Sequence, residues 1–408
     1  MDIFCDANVI YEAADKARKT SKWKEATQRF RMEQMIETAH IKEENENGTY
    51  QPECGNRFPI SERGKKRYIT SSSQKDKTVY HILSDKVLEP ALKPYVTWEN
   101  TASQKGKGVS LFRKQIVSAL HHYYNIHHTN EGWLLQTDDS GYYPNMHHDK
   151  VKATLFEFID GYKFPEGTPE TAKSIIKKML RQFALDVSRF SDEEIEKMME
   201  CKVDPMLNID VPKELLTGEK YLEKGVDIGT QPSQDIGIIL PHRIDSFAKS
   251  GSGADDYGRY TDDSWAISPS KEILLLLLDV MRKCSKELGL IMNEKKTRIV
   301  PLNKPFRILQ IQYTLTDTGR VIAKIHPKAV TRERQALKAY RRQYDKKIMT
   351  IDDIEGSFKS WIGQNYKVMS RQQIENLFRL YYELFRRKLT WKKKHSKLHW
   401  LMEQSLAI

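Results

Sequence analysis

Tyr257-Gly258-Arg259-Tyr260-Thr261-Asp262-Asp263-Ser264-Trp265-Ala266-Ile267 places two adjacent carboxylates between two short β-prone runs. That pattern predicts a β-hairpin with Asp262 and Asp263 at its tip. Like charges side by side repel, so a clustered Asp pair needs a counter-charge. Mg²⁺ meets the need with hard-oxygen coordination and positions left open for phosphates, which points to phosphoryl transfer by two metal ions. Taken alone, the motif also fits a solvated acidic turn, as Asp255-Asp256 does just upstream.

A second carboxylate strengthens the first reading. Leu134-Leu135-Gln136-Thr137-Asp138-Asp139-Ser140-Gly141-Tyr142-Tyr143 runs from an apolar stretch into Asp138 and then two aromatics. Asp138 is expected at the C-terminal end of a strand, where its side chain can converge with Asp262 and Asp263. Between the two segments lies Ile228-Gly229-Thr230-Gln231-Pro232-Ser233-Gln234, followed by the apolar run 236–240. The order strand-Asp-aromatic, Gly-x-x-x-Ser-Gln, Tyr-x-Asp-Asp resembles the palm of reverse transcriptases.

The resemblance extends from about Asn47 to about Phe385. Gly48-Thr49-Tyr50-Gln51-Pro52, Phe58-Pro59-Ile60, Lys65-Lys66-Arg67-Tyr68-Ile69 and Lys105-Gly106-Lys107-Gly108 are similar to the fingers of these enzymes. Gly289-Leu290-Ile291-Met292-Asn293 with Lys296 is similar to a palm turn, and the run 306–313 to the primer grip. The Ile-Gly-x-x-x-Ser-Gln form resembles the diversity-generating retroelement group, with phage-defence (abortive-infection) reverse transcriptases next nearest. Two features depart from the pattern. Ile308-Leu309-Gln310 stands where many relatives have Phe-Leu-Gly, and Gln takes positive φ less freely than Gly. The stretch 161–218 is long for the link between palm halves and reads as a helical insertion, with Ser191 and Glu194 placed as a capping box.

The resemblance implies an α+β, right-hand polymerase fold of fingers, palm with an antiparallel sheet, and helical thumb. The boundaries are an N-terminal helical extension at 1–46 (helical from Ala13 to Lys42), fingers at 47–132, palm at 133–318, and a basic thumb and tail at 319–408. Asp138 and Asp262 are implied to bridge two Mg²⁺ ions, for which Mn²⁺ can substitute. Asp263 supports the site, and Asp139 contributes its backbone carbonyl, its side chain being a rival for Asp138. Arg67, with Lys65 or Lys66, is the candidate for the triphosphate, because a planar guanidinium grips two oxygens. Tyr143 occupies the position of a steric gate against the ribose 2′-hydroxyl, with Tyr142 a core aromatic. Ile228, Gly229, Ser233 and Gln234 would line the nascent base pair, and Lys296 would approach the carboxylates or the primer phosphate. Implied partners are template RNA, nascent cDNA and deoxynucleoside triphosphates, with a small basic accessory protein or a non-coding RNA.

Composition agrees with that size and class. The chain has 408 residues, 39% hydrophobic and 30% charged, enough for several subdomains around a sizeable core. No apolar run approaches the roughly 20 residues of a membrane helix, and the N-terminus lacks a signal pattern. No membrane association and a cytoplasmic location are therefore expected, and the resemblance implies a bacterial or phage-infected cell. Four scattered cysteines suit reduced thiols. Net charge is +12, while the stretch from Gly319 to Ile408 carries 21 Lys/Arg and 8 Asp/Glu, so the remainder sums to about −1. A basic C-terminal region with interleaved aromatics suits a phosphate-gripping surface. Its tail Trp391-Lys392-Lys393-Lys394-His395 is either an RNA contact or a disordered basic end. The pairs His121-His122, His127-His128 and His147-His148 are adjacent rather than spaced by a helical turn, so surface contacts are expected ahead of zinc. No ribonuclease H or endonuclease segment is expected. Three functions remain at this point: a diversity-generating reverse transcriptase, a phage-defence polymerase, and an idle RNA-binding scaffold, the last disfavoured by the intact carboxylates.

Overall fold

The structure, a computed structural model, describes residues 1–19, 21–53, 55–62, 65–204, 206–208 and 211–389, with the backbone alone at 56, 57, 61, 62, 65–68 and 213. Cys54 and the basic tail Trp391-Lys392-Lys393-Lys394-His395 lie outside the described residues. Helices and small sheets are mixed along the chain. Two compact units form, one from Met1–Phe112 with Leu135–Ile299, the other from Arg113–Leu134 with the described residues from Val300.

The first unit opens with helices Ala7–Arg18, Glu25–Met32 and Gln34–Glu46. Helical structure starts earlier than the expected Ala13, because the Asp6 carboxylate accepts the Asn8 and Val9 N–H groups and caps the first helix. Strands β1 (Asn56–Glu62) and β2 (Lys65–Ser71) pair as an antiparallel hairpin. Strand β3 (Trp133–Asp138) follows a long helix, Val109–His127. Within 161–218, helix Thr168–Phe183 buries Ala172, Ile175, Ile176, Met179, Leu180 and Phe183 at helical spacing. The short strands β4 (Leu185–Asp186) and β5 (Tyr221–Leu222) pair antiparallel. Between them Ser191 caps helix Asp192–Glu200, and Glu194 returns the bond to close a capping box. The buried Lys224 ammonium closes the other end, donating to the carbonyls of Met199 and Cys201 at 2.7 and 2.8 Å.

Strands β6 (Asp256–Tyr260) and β7 (Asp263–Ser268) form the antiparallel hairpin expected around the Asp pair. They join β3 and β8 (Arg298–Pro301) in a sheet ordered β6-β7-β3-β8. Helix Lys271–Glu287 packs on β7. Its apolar run buries only Leu274, Leu277, Leu278 and Met281, leaving Leu275 and Leu276 outward; each buried side chain stabilises by about 1.5–3 kcal/mol relative to exposure. Opposite Gly258 in the hairpin register stands Trp265, buried to 2% exposure. A Cβ at 258 would lie 2.6 Å from the indole ring, so glycine is what lets the ring lie flat across β6.

In the second unit β9 (Phe306–Ile308), β10 (Ile311–Leu315) and β11 (Val321–Ile325) form an antiparallel sheet ordered β11-β10-β9. Helices Pro327–Asp345, Ile351–Asn365 and Arg371–Phe385 follow. Ile354, Phe358, Ile362, Ile374, Leu377, Phe378 and Tyr381 form their core, with Phe358 and Tyr381 stacked at 5.4 Å. Tyr344 and Tyr382 keep exposed faces. Among the described residues no helix is long and apolar enough to cross a membrane.

The link between β9 and β10 has only two residues, Leu309 and Gln310, with φ of 43° and 70°. Positive φ at both positions is the geometry of the tight primed hairpin turn. Gln310 therefore does adopt the conformation that glycine would take without strain, at a cost of about 1 kcal/mol. Gln310→Gly is expected to raise unfolding stability by about 0.5 kcal/mol at most in urea titrations, the relief of strain slightly exceeding the added chain entropy.

Candidate active site

Three segments meet at the C-terminal end of β3. The Asp139 N–H donates to the Asp262 carbonyl at 3.3 Å, tying β3 to the hairpin tip. The Ser140 N–H donates to the Ile291 carbonyl at 2.6 Å, and the Asn293 N–H to the Asp138 carbonyl at 2.7 Å, tying β3 to the turn 289–296. Inside the sheet the hydroxyls of Thr137 and Ser264 share a hydrogen bond of 2.6 Å. Asp138 is 6% exposed. Its Oδ1 lies 2.6 Å from Lys296 Nζ and its Oδ2 accepts from Asn293 Nδ2 at 3.0 Å. Backbone bonds thus fix where the carboxylates stand, and Lys296 meets the most buried of them.

The electrostatics follow from crowding. Burial, then the Asp262 and Asp138 charges, push the Asp263 carboxyl up to about 7 against the opposing pull of Lys296. Burial and Asp262 likewise push Asp139 up to about 7, although Arg259 pulls it down. Tyr143 is pushed up to about 12 by burial and by Asp262, and Tyr260 is raised by the same two causes. Asp262 is therefore the charge that the whole cluster feels. Among the described residues no three His, Cys, Asp or Glu side chains are grouped as a metal site of their own. What the arrangement offers is two or so carboxylates with the rest of a coordination shell left to water and substrate, the way Mg²⁺ is commonly held.

The turn itself is strained and is held from below. Thr261 has φ of 57°, an uncommon conformation for a β-branched residue. Arg259, buried in β6, uses all five of its N–H groups. Nε and Nη2 grip Asp245 at 2.7 Å each, Nη1 donates to the Thr261 and Gly237 carbonyls, and Nη2 also donates to the Ile238 carbonyl. Tyr257 adds its hydroxyl to Asp245 at 2.8 Å. Burial opposes the guanidinium's charge, but Asp245 outweighs it and holds the group above its ordinary pKa. The sequence alone gave no role to Arg259, Asp245 or Asn293. An Arg inside a β-prone run beside the Asp pair was the available signal; Asp245 had none.

The other sequence candidates fall in two groups. Tyr143 joins the cluster: it begins a short 3₁₀ turn, Tyr143–Asn145, and its ring lies so close to Gly237 that a Cβ there would sit 2.6 Å from the hydroxyl. Tyr142 is buried, its hydroxyl donating to the Gly237 carbonyl at 2.7 Å. Ile228, Gly229, Ser233 and Gln234 gather instead at the start of helix Gln231–Ile239. Thr230 caps that helix, and the Ser233 hydroxyl is buried against the Thr230 hydroxyl at 2.6 Å. Gln234 and Gly229 are exposed and Ile228 is half-buried. Asp227 accepts the Thr70 N–H at 2.9 Å and so binds this stretch to β2. Lys65, Lys66 and Arg67 lie on β2 opposite Glu62, Ser61 and Ile60; their side chains are outside what is described.

No family model and no curated protein matches the sequence. Among solved structures the chain is similar to apo telomerase from Candida tropicalis truncated from its C-terminal domain, at 13% identity and a TM-score of 0.45, over 65% of this chain and 54% of that one. It is similar also to telomerase from Candida albicans in complex with a TWJ fragment of telomeric RNA, at 12% identity and a TM-score of 0.47, over 88% and 62%. The chain thus spans between about half and two thirds of the telomerase chains it matches. Likeness at this level does not bear on function, and the functional reading rests on the residues.

Lysine has three donors on a flexible stem and cannot reproduce a planar five-donor fork. Arg259→Lys is expected to destabilise the protein by about 3 kcal/mol, because it leaves buried acceptors without donors. Chemical denaturation measures the loss. In a double-mutant cycle with Asp245→Asn the two losses should be strongly non-additive; simple additivity would show that the pair does not act as a unit.

Proposed function

We propose that this chain is an RNA-directed DNA polymerase of the right-hand type, making cDNA by two-metal-ion nucleotidyl transfer. The observation that carries the reading is the junction of β3, the β6–β7 tip and the turn 289–296. It brings Asp138, Asp139, Asp262, Asp263 and Lys296 together at the end of one sheet. In this reading residues 47–132 are the fingers, 133–318 the palm, and 319–408 the thumb and tail. The protein acts in the cytoplasm of a bacterial or phage-infected cell on template RNA, nascent cDNA and deoxynucleoside triphosphates, with a basic accessory protein or a non-coding RNA as partner.

The donor set suits Mg²⁺, with Mn²⁺ as a substitute: hard carboxylate oxygens, crowded enough to raise one another's pKa, gain from a cation placed among them. Bound there, two such ions would supply Lewis-acid charge at the reacting phosphate and acidify the primer 3′-hydroxyl. Asp138 and Asp262 would hold them. Asp263 supports Asp262 from the first position of β7, and Asp139 would contribute its backbone carbonyl, its N–H bonding the Asp262 carbonyl at the tip. Lys296 neutralises Asp138 in the meantime. Its side chain is 52% exposed, so little holds it when a primer or triphosphate phosphate offers a second anion. Tyr143, whose ring lies close to Gly237, would exclude a ribose 2′-hydroxyl, and Arg67 with Lys65 or Lys66 would contact the triphosphate. The Ile228-Gly229-x-x-x-Ser233-Gln234 stretch favours a diversity-generating retroelement as the source of the template RNA.

Deep sequencing of cDNA made on a defined RNA tests both levels. Asp262→Ala should lower product by about a thousandfold or more, the scale of losing a fixed electrostatic group in a closed site. Asp262-dependent products with errors concentrated at template adenines support the diversity-generating role. Faithful or untemplated Asp262-dependent products move the protein to phage defence. Product that survives Asp262→Ala at full yield removes the polymerase reading. Tyr143→Ala should raise ribonucleotide incorporation while leaving deoxynucleotide incorporation measurable.

A further inference from the structure

Charge counting over long stretches hides a second basic region. Residues 16–31 carry seven Lys and Arg side chains and one acidic residue, Glu25, although everything before Gly319 nets about −1. Three of the seven are tied up: Lys16 with Asp85, Arg18 with Asp15 and Arg29 with Glu25. Lys22, Lys24 and Arg31 stand exposed.

These charges surround a shaped feature rather than a smooth helix face. Arg18, Lys22, Thr27, Gln28, Arg31 and Met32 line a surface cavity of about 350 Å³. Thr27 of this lining is anchored. The hydroxyls of Ser21 and Thr27 lie 3.1 Å apart, and Gln74 Nε2 donates to them at 3.2 and 2.7 Å, all three residues being buried. Arg18 is aimed by Asp15, which accepts from its Nε at 2.9 Å and from Gln34 Nε2 at 3.0 Å. Next to Lys22 in the chain, the Trp23 indole is 76% exposed, with the Lys24 ammonium 5.5 Å from its centroid. Met32, Met35 and Ile36 are exposed on the same segment.

We propose that this surface binds single-stranded RNA, with phosphates in the Arg18–Lys22–Arg31 cavity and a base stacked on Trp23. Cations that track a backbone, next to an aromatic face that accepts any base, are the physical requirements of single-strand binding. A duplex hides its base faces from Trp23. A flat bilayer cannot reach the concave wall, where the Arg18 side chain is only 19% exposed. The choice of RNA over DNA rests on the polymerase reading; the binding chemistry does not.

The test uses the full chain and a short, unstructured, fluorescein-labelled RNA carrying 4-thiouridine. Anisotropy across a salt series is compared for wild type, Arg18→Gln/Lys22→Gln/Arg31→Gln, Lys22→Gln/Arg31→Gln and Trp23→Ala. The second variant leaves the Arg18–Asp15 pair intact, so it reads binding even if the first is poorly folded. The triple variant should bind about tenfold more weakly or worse and lose about 2 from the salt slope, at about 0.7 per phosphate contact. The double variant should lose about two thirds of that slope change. Trp23→Ala should weaken binding about tenfold, the effect of one stacked base. Photo-adducts should map to residues 22–36. Unchanged slopes with adducts confined elsewhere would overturn the proposal. So would flotation on phosphatidylglycerol vesicles that is lost in the double variant while its RNA binding matches wild type. Asp262→Ala protein should give the wild-type binding result, so failure of the polymerase reading and failure of this one are read separately.

Discussion

Arg259 is a cation buried in β6, the strand that leads into the turn of the paired carboxylates, and the local architecture follows from neutralising it. Taking a guanidinium out of water costs several kcal/mol, recovered only if every donor finds an acceptor in good geometry. Its acceptors come from three places: Asp245 on helix His242–Ser250, the carbonyls of Gly237 and Ile238 at the end of helix Gln231–Ile239, and the Thr261 carbonyl in the turn. The helix-end carbonyls are groups that a helix leaves without partners and that carry its negative pole. One side chain thereby fixes the spacing of two helices and a turn. The pair need not add net stability to do this, since its value lies in admitting a single arrangement.

That constraint explains how a strained turn and a crowd of like charges persist together. A left-handed Thr261 costs of the order of 1–3 kcal/mol and survives only where its surroundings over-determine it. The Arg259 bond to its carbonyl and the Asp139 bond to the Asp262 carbonyl do so from two sides. The carboxylates then sit where they repel, with Lys296 drawn onto Asp138 as the nearest relief. A site of this kind favours incoming cations and the phosphates that accompany them, which is the electrostatic logic of the proposed polymerase.

Positive charge outside the site is similarly local. The C-terminal region carries the excess that a whole-chain count reveals. The N-terminal helices carry another excess that a whole-chain count hides; Asp85, Asp15 and Glu25 pair with three of its cations, while screening limits the reach of more distant acids to about 8–10 Å. Basic stretches near both ends of the sequence suit a protein proposed to handle a long RNA.

Much of the frame was legible along the chain. The alternation around Asp262 determined the hairpin, and the apolar run ahead of Asp138 determined β3. Ser191 with Glu194 determined a helix start, because each of these signals is a local pattern read over a few residues. Leu309 and Gln310 show the limit of such reading: residue preference argued against positive φ, and the two-residue connection between β9 and β10 imposed it. Ser233 shows another, since its hydroxyl was free on paper and is buried in a hydrogen bond with the hydroxyl of Thr230, the residue that caps the helix. The clamp of Arg259 on Asp245, the bond of Asn293 to Asp138 and the approach of Lys296 span from 14 to 158 residues of chain. Only the tertiary structure decided them. Buried charges choose partners by distance in space, and no period or spacing in the sequence records which distant segment will arrive beside them.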